Sequence, residues 1–267
     1  MLVVNDGSSD PTEAVVKERA KSFPAPLRVL TLEPAGPARA RNAGIREARG
    51  RIIAFTDDDC IPEPDWLHRI TQGYEQDERL AGIGGQTFPK LERSPWSRYQ
   101  DLLLHQPHHD AGGITFLLTS NASFRRDRLL EVGGFDEIFP FAGGEDVDLC
   151  QRLRAKGYRL GYQPQARMRH DHITTFQQYL KLCFRYGQGE AILHRHGSGG
   201  YKILRTLWWG RHCGSWLGLP WRARRLQRER GFSGKDAWRL AALLCGQDLI
   251  GYLGALSQWQ WIVKRYD

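Results

Sequence analysis

Short apolar runs alternate with amphipathic stretches through the first two thirds of the chain. Residues 2–5 (LVVN) and 27–32 (LRVLTL) are rich in β-branched residues and leucine and are bounded by turn residues, a pattern that predicts strands. Between them, DPTE at 10–13 opens a helix, with Asp10 as N-cap, Pro11 at the first helical position and Glu13 reaching back to the cap. Residues 36–49 predict a loop and a second helix, stopped by Gly50. The run RIIAFT at 51–56 reads as a buried strand, 64–76 as a helix, 81–88 as a strand, and 114–119 as another strand closed by the small polar residues of SNAS. Residues 127–132 form a short predicted helix before Gly133 and Gly134. A longer helix starts at Glu145 or Asp146 and ends at Lys156, with Gly157 as a left-handed cap. Residues 158–162 and 166–168 read as extended, and 176–196 as a helix. Strands alternating with helices predict an α/β fold built of mostly parallel βαβ units.

Composition adds a boundary to this picture. The chain has 267 residues, 41% of them hydrophobic, enough for one sizeable domain and an appendage. The net charge is +8. Residues 201–240 hold ten lysines and arginines against Glu229 and Asp236, so this segment carries the whole excess. Seven of the nine tryptophans also follow residue 200. A catalytic domain over 1–197 and a basic, tryptophan-rich helical region over 198–267 follow, divided in the HGSGG run. The longest charge-free piece of the tail, 249–263, has 15 residues, short of the roughly 20 that a spanning helix needs. Arginines with tryptophans suit peripheral contact with an anionic membrane surface, beside the readings of soluble helices packed on the catalytic domain and of a spanning or re-entrant segment. No nucleic-acid motif accompanies them, so no nucleic-acid partner is expected. The five cysteines are scattered with no CxxC pair, which fits a reducing compartment, and no signal peptide opens the sequence.

Candidate chemistry begins at the end of the strand at 51–56, where Asp57, Asp58 and Asp59 follow one another. Adjacent carboxylates repel, and a divalent cation such as Mg²⁺ or Mn²⁺ relieves that repulsion. Ligands of open α/β sheets bind beyond the carboxyl ends of the strands. From the triplet alone, a solvated acidic turn is an equal reading. Glu145, Asp146 and Asp148 lie in a first helical turn, where the macrodipole favours carboxylates whatever their use. His170 and His172 stand at i and i+2 on an extended chain and face one way. The histidines of HQPHH, His105, His108 and His109, read as solvated.

The order of the motifs carries more than any one of them. VVNDGSSD, GPARARNAG, FTDDDC, TSNASFRRD, GGFDE, GGEDVDLCQRLRAKGY and RHDH follow one another from about residue 2 to 186. This series resembles the family 2 glycosyltransferases, which have the GT-A fold, a Rossmann-like mixed sheet flanked by helices. The resemblance implies a hexosyl- or deoxyhexosyltransferase that moves sugar from a nucleotide-sugar donor to a glycan or lipid-linked acceptor, with inversion, at the cytoplasmic face of the membrane. It implies Asp6, with Gly7 and Ser8, at the donor nucleotide, and Arg41, Asn42 and Asp58 near the donor and its phosphates. Asp57, Asp59 and His170 would hold the metal. Asp146, beside Glu145, would be the catalytic base, and Asn121 would line the sugar and acceptor pocket. Helix 176–196 is expected across the rear of the site.

The resemblance leaves two other readings open: a glycosyltransferase-like binding module without activity, and a nucleotidyltransferase, which also uses metal-binding aspartates. Family members place a strand and a helix before the NDGS strand, whereas Met1 here stands inside that strand. An exposed sheet edge and weak stability are the expected consequence.

Overall fold

The computed structural model describes residues 1–75, 77–89, 109–170 and 175–196, with isolated helical positions between 220 and 250. The chain forms two compact units: residues 1–88 with 106–170, and residues 89–105 with 171–267. The division falls at 170/171 and not in HGSGG, because the helix expected to belong to the first unit is part of the second. That helix spans Phe176–His196 and buries Tyr179, Cys183 and Ile192. Among the described residues no helix is long and apolar enough to cross a membrane. His105, His108, His172 and almost all of the basic tail lie outside the described residues.

The first unit opens with strand β1 (Leu2–Asn5), helix α1 (Thr12–Ala20), strand β2 (Arg28–Thr31) and helix α2 (Pro37–Glu47). β1 and β2 pair in parallel, Leu2 opposite Arg28 and Asn5 opposite Thr31. α1 starts one residue later than expected, with Pro11 and not Asp10 at the N-cap, and Asp10 accepts the Thr12 N–H at 3.1 Å from the residue before it. Glu13 does not reach back; its carboxylate takes Lys17 and the Thr31 hydroxyl. Strand β3 (Ile52–Thr56) then starts a five-stranded sheet of order β3-β8-β5-β9-β4. Its other members are β4 (Cys60–Pro62), β5 (Leu80–Pro89), β8 (Asn121–Arg125) and β9 (Arg159–His170). The sheet content is mixed, but its proportion differs from the expectation. The ladders β3–β8, β5–β8 and β4–β9 are antiparallel, so parallel pairing described here is that of β1 with β2. Helical crossovers enforce parallel strands, and no described helix joins β3 to β4 or β5 to β8 by such a route. Among the described residues, β1 is paired on one edge by β2 and β3 on one edge by β8.

Alternation explains the packing. On β3, Ile53 and Phe55 face one core and Ile52 and Ala54 the other. The first core takes Ala38 and Ile45 from α2, Leu129 from α4 (Arg126–Glu131), and Leu149 and Leu153 from α5 (Glu145–Ala155). The second takes Trp66 and Ile70 from α3 (Trp66–Gln72), with Ile83, Ala166 and Met168. Of the run 114–119, expected to be a strand, only Ile114 is extended, as the end of β7 (Gly113–Ile114), which pairs with β6 (His109–Asp110). The strand comes instead at NASFR, one short step later.

Candidate active site

β3 delivers the three aspartates into a tight turn. The Cys60 N–H donates to the Asp57 carbonyl at 3.2 Å, which makes Asp57 the first residue of a four-residue turn and places Asp58 and Asp59 at its tip. Aspartate suits such positions. Asp58, expected near the donor and its phosphates, is exposed on this turn. The chain then enters β4, where Cys60 lies directly opposite His170 of β9. Asp59 Oδ2 meets His170 Nε2 at 3.1 Å. Burial pushes the Asp59 carboxyl up, but the bond to His170 and its charge outweigh that, and the pKa lies below the ordinary value. Ligand atoms of Asp59, Cys60 and His170 all fall within 4.8 Å of one another.

Arg41 joins this corner to the start of α5. Its guanidinium donates to Glu145 Oε1 at 2.7 Å and lies 3.4 Å from Asp57 Oδ1. It also rests 5.6 Å from the centre of the Phe135 ring. Burial alone would lower the Arg41 pKa; the charges of Glu145 and Asp57 reverse the direction. For Asp57, burial and the charge of Asp59 prevail over Arg41 and His170, and its pKa is raised. So Asp57, expected on the metal, spends its described contact on Arg41. Glu145 is 2% exposed, and its second oxygen accepts the Gly143 N–H at 2.6 Å. The approach to α5 runs through Gly143 and Gly144, both at positive φ (146° and 105°), where a side chain would be strained. Asp146 follows, with Oδ1 accepting the Val147 N–H at 2.9 Å. Burial and the neighbouring Glu145 charge, against Arg41, push its pKa up to about 7.

The other expected residues divide into those near this corner and those used by the fold. Asp6 accepts the N–H groups of Ala35 (3.0 Å) and Gly36 (2.8 Å), which fixes the loop that leads into α2. Gly7, at φ 74°, lies so close to Pro34 that a Cβ would stand 2.3 Å from its Cγ. Ser8 is exposed, and its N–H donates to the buried Asn5 side chain. Asn42, expected near the donor, is buried. Its amide donates to the Phe135 carbonyl at 2.8 Å and accepts the Phe135 N–H at 2.8 Å, so it locks the GGFDE loop. Asn121, expected to line the sugar and acceptor pocket, is held by hydrogen bonds within the fold. It is 2% exposed, accepts the Trp66 indole N–H at 2.7 Å, and donates to the carbonyls of Gln86 and Ala166 at 3.1 Å each. A buried amide is held only where all its partners are present. Two residues missed by the sequence reading matter here. Phe135 backs Arg41, and GGFDE was its signal; Cys60 joins Asp59 and His170 through strand register, which no motif announces.

Three carboxylates, Asp57, Glu145 and Asp146, thus gather about one guanidinium, with Asp59 and His170 beside Asp57. That surplus of negative charge and the mutual reach of Asp59 and His170 fit a divalent cation. The sequence matches the family described as glycosyl transferase family 2 over residues 1–134. It also matches one described as the N-terminal domain of galactosyltransferase over residues 111–178. It is 31% identical over 202 residues to the pre-mycofactocin glycosyltransferase of Mycobacterium tuberculosis, covering 72% of this chain and 42% of that protein. Glycosyltransferase AglE of Haloferax volcanii is 28% identical over 197 residues, 71% of this chain and 62% of its own. The chain therefore spans 42% and 62% of the lengths of these two relatives. A mannosyltransferase from Pyrobaculum calidifontis, solved with GDP-Man and Mn²⁺, shares the fold at TM-score 0.63 and 19% identity, over 96% of this chain and 77% of that one.

Proposed function

The chain belongs to glycosyl transferase family 2 and has the GT-A fold, and from that premise we propose that it transfers a sugar, with inversion, from a nucleoside diphosphate donor to a hydroxyl of a glycan or lipid-linked acceptor. One observation carries this reading: Arg41 holds the aspartate turn and the start of α5 in a single charged cluster. Asp146 has the pKa that a base working near neutrality needs. It takes the proton of the acceptor hydroxyl as that oxygen attacks the anomeric carbon. The bond from that carbon to the diphosphate oxygen breaks on the opposite face, which inverts the centre. Glu145, with both oxygens engaged, positions Arg41 and is not the base. The loop of Asp6, Gly7 and Ser8 offers its exposed edge to the nucleotide.

Asp59 and His170 are the residues suited to hold the cation. A divalent ion held there, Mn²⁺ or Mg²⁺, would supply positive charge to offset that of the departing diphosphate. The fold relative was solved with GDP-Man and Mn²⁺, which supports this donor chemistry, and a 30% identical relative from Haloferax volcanii is a glucosyl-dolichyl phosphate glucuronosyltransferase, which supports a lipid-linked acceptor.

The test is turnover of UDP-, GDP- and dTDP-sugars with Mn²⁺, read as release of nucleoside diphosphate. One base is expected to dominate. Asp59→Ala is expected to lower the metal-dependent rate by roughly 100-fold or more, given the several kcal/mol that such an ion supplies. Full metal-dependent turnover in Asp59→Ala removes that residue from the site. Release of pyrophosphate from a nucleoside triphosphate, with no sugar transfer, replaces the whole reading by a nucleotidyltransferase.

A further inference from the structure

Cys60 occupies a position that the transfer chemistry does not use. It is the first residue of β4 and stands opposite His170 in the antiparallel β4–β9 ladder. Directly opposed residues project from the same face with Cβ atoms about 4.5–5.5 Å apart. The thiol is therefore held on the His170 side by the sheet itself. Asp59 closes the group from the turn, with Oδ2 3.1 Å from His170 Nε2 and Oδ1 3.5 Å from Cys60 Sγ. Oxygen, nitrogen and sulfur atoms are thus mutually within 4.8 Å. Ligands that share one ion at about 2.0–2.3 Å sit no farther apart than this. Cys60 is half-buried and packs against the core of Trp66, Ile70 and Met168, so its placement is fixed by packing and not by a loose loop.

We propose that Cys60 is a third protein ligand of the cation site formed by Asp59 and His170, and that it biases the site toward softer cations, Zn²⁺, Co²⁺ and Cd²⁺, over Mg²⁺. The proposal rests on the reading of Asp59 and His170 as cation ligands. Carboxylate alone suits Mg²⁺ and Mn²⁺, whereas imidazole and thiolate favour zinc and its neighbours. One strand register therefore gives a hard aspartate turn a soft third partner. Binding releases the thiol proton to solvent as the sulfur–metal bond forms.

The experiment titrates the full chain with Co²⁺ and Cd²⁺ and follows thiolate-to-metal charge transfer in the near ultraviolet, beside Mn²⁺ binding by electron paramagnetic resonance. The wild type is expected to give the sulfur band. Cys60→Ser and Cys60→Ala are expected to lose it, with Cd²⁺ affinity down about 10-fold or more and Mn²⁺ affinity within about 3-fold, since sulfur matters to the soft ion and little to the hard one. Retained Mn²⁺ binding shows that each variant is folded at the site. A sulfur band that persists in both variants, or that is absent from a wild type which binds Mn²⁺, overturns the role of Cys60 and leaves Asp59 and His170 standing. Binding of no cation by the wild type overturns both.

Discussion

Replacing Asp146 with asparagine is expected to cost about 10²–10⁴ in transfer rate, the usual contribution of a positioned base, while making the protein more resistant to heat above neutral pH. The second effect follows from the first residue's electrostatics. The folded pKa, about 7, lies above the ordinary 3.8, so the folded state keeps a proton that the unfolded chain has released. The stability contributed by that proton is fully present below pH 3.8 and is lost as pH rises through about 7. An amide carries no charge at any of these values. Wild type and Asp146→Asn should therefore melt alike in acid and diverge in base, where the variant gains a few degrees; each kcal/mol moves the midpoint by roughly 2–4 °C in a domain of this size. In the wild type, transfer should rise with pH through the same interval, as the carboxylate needed by the acceptor becomes available. Melting curves at about pH 3.5 and about pH 8.5, with initial rates across that range, check both halves. A variant that still transfers at the wild-type rate would sink the assignment.

The second large effect belongs to Arg41. Its side chain is 15% exposed and that of Glu145 only 3%. Arg41→Met removes the cation and leaves a buried carboxylate facing nothing of opposite charge, a change that costs about 3–5 kcal/mol. Adding Glu145→Gln removes the stranded charge and should restore much of that loss, because an ion pair replaced as a pair is far less costly than one that is broken. Urea unfolding of the single and double variants reads this directly. Arg41 also lowers the Asp146 pKa, so the single variant's residual activity should appear at higher pH than in the wild type. A loss below about 1 kcal/mol, the scale of an exposed pair, would show that the guanidinium is a surface charge and not the link between turn and helix.

Much of this arrangement was legible where local chemistry decides it. Periodicity marked the helices at 145–155 and 176–196 to within a residue, and Gly157, at φ 85°, caps the first of them as its place suggested. The strand at NASFR was not legible, because its polar residues look like a loop. Asn121 and Ser123 are buried there only because Trp66 and Tyr74, far away in sequence, supply partners. Strand direction failed for a related reason: alternation of elements says nothing of the route by which β8 returns beside β3. The acidic motifs told where charge collects, yet not how it is shared. Asp57 goes to Arg41, and Asn42 to the backbone of Phe135, through contacts that span 16 and 93 residues of chain. Side chains committed at such separations leave no local trace in the sequence.

The two-stranded β1–β2 sheet sets a hierarchy of opening within the first unit. α1, which connects its strands, buries no residue, and two-stranded sheets are marginal in water. In native-state hydrogen exchange its amides should exchange well before those of β8, where Asn121, Ala122, Ser123 and Phe124 are buried together. The loop of Asp6 and Gly7 hangs from this early-opening segment. A nucleotide that binds there would have to order it, and occupancy would be visible as slowed exchange at β1 before any sugar has moved. Equal protection of β1 and β8 without ligand would contradict this hierarchy.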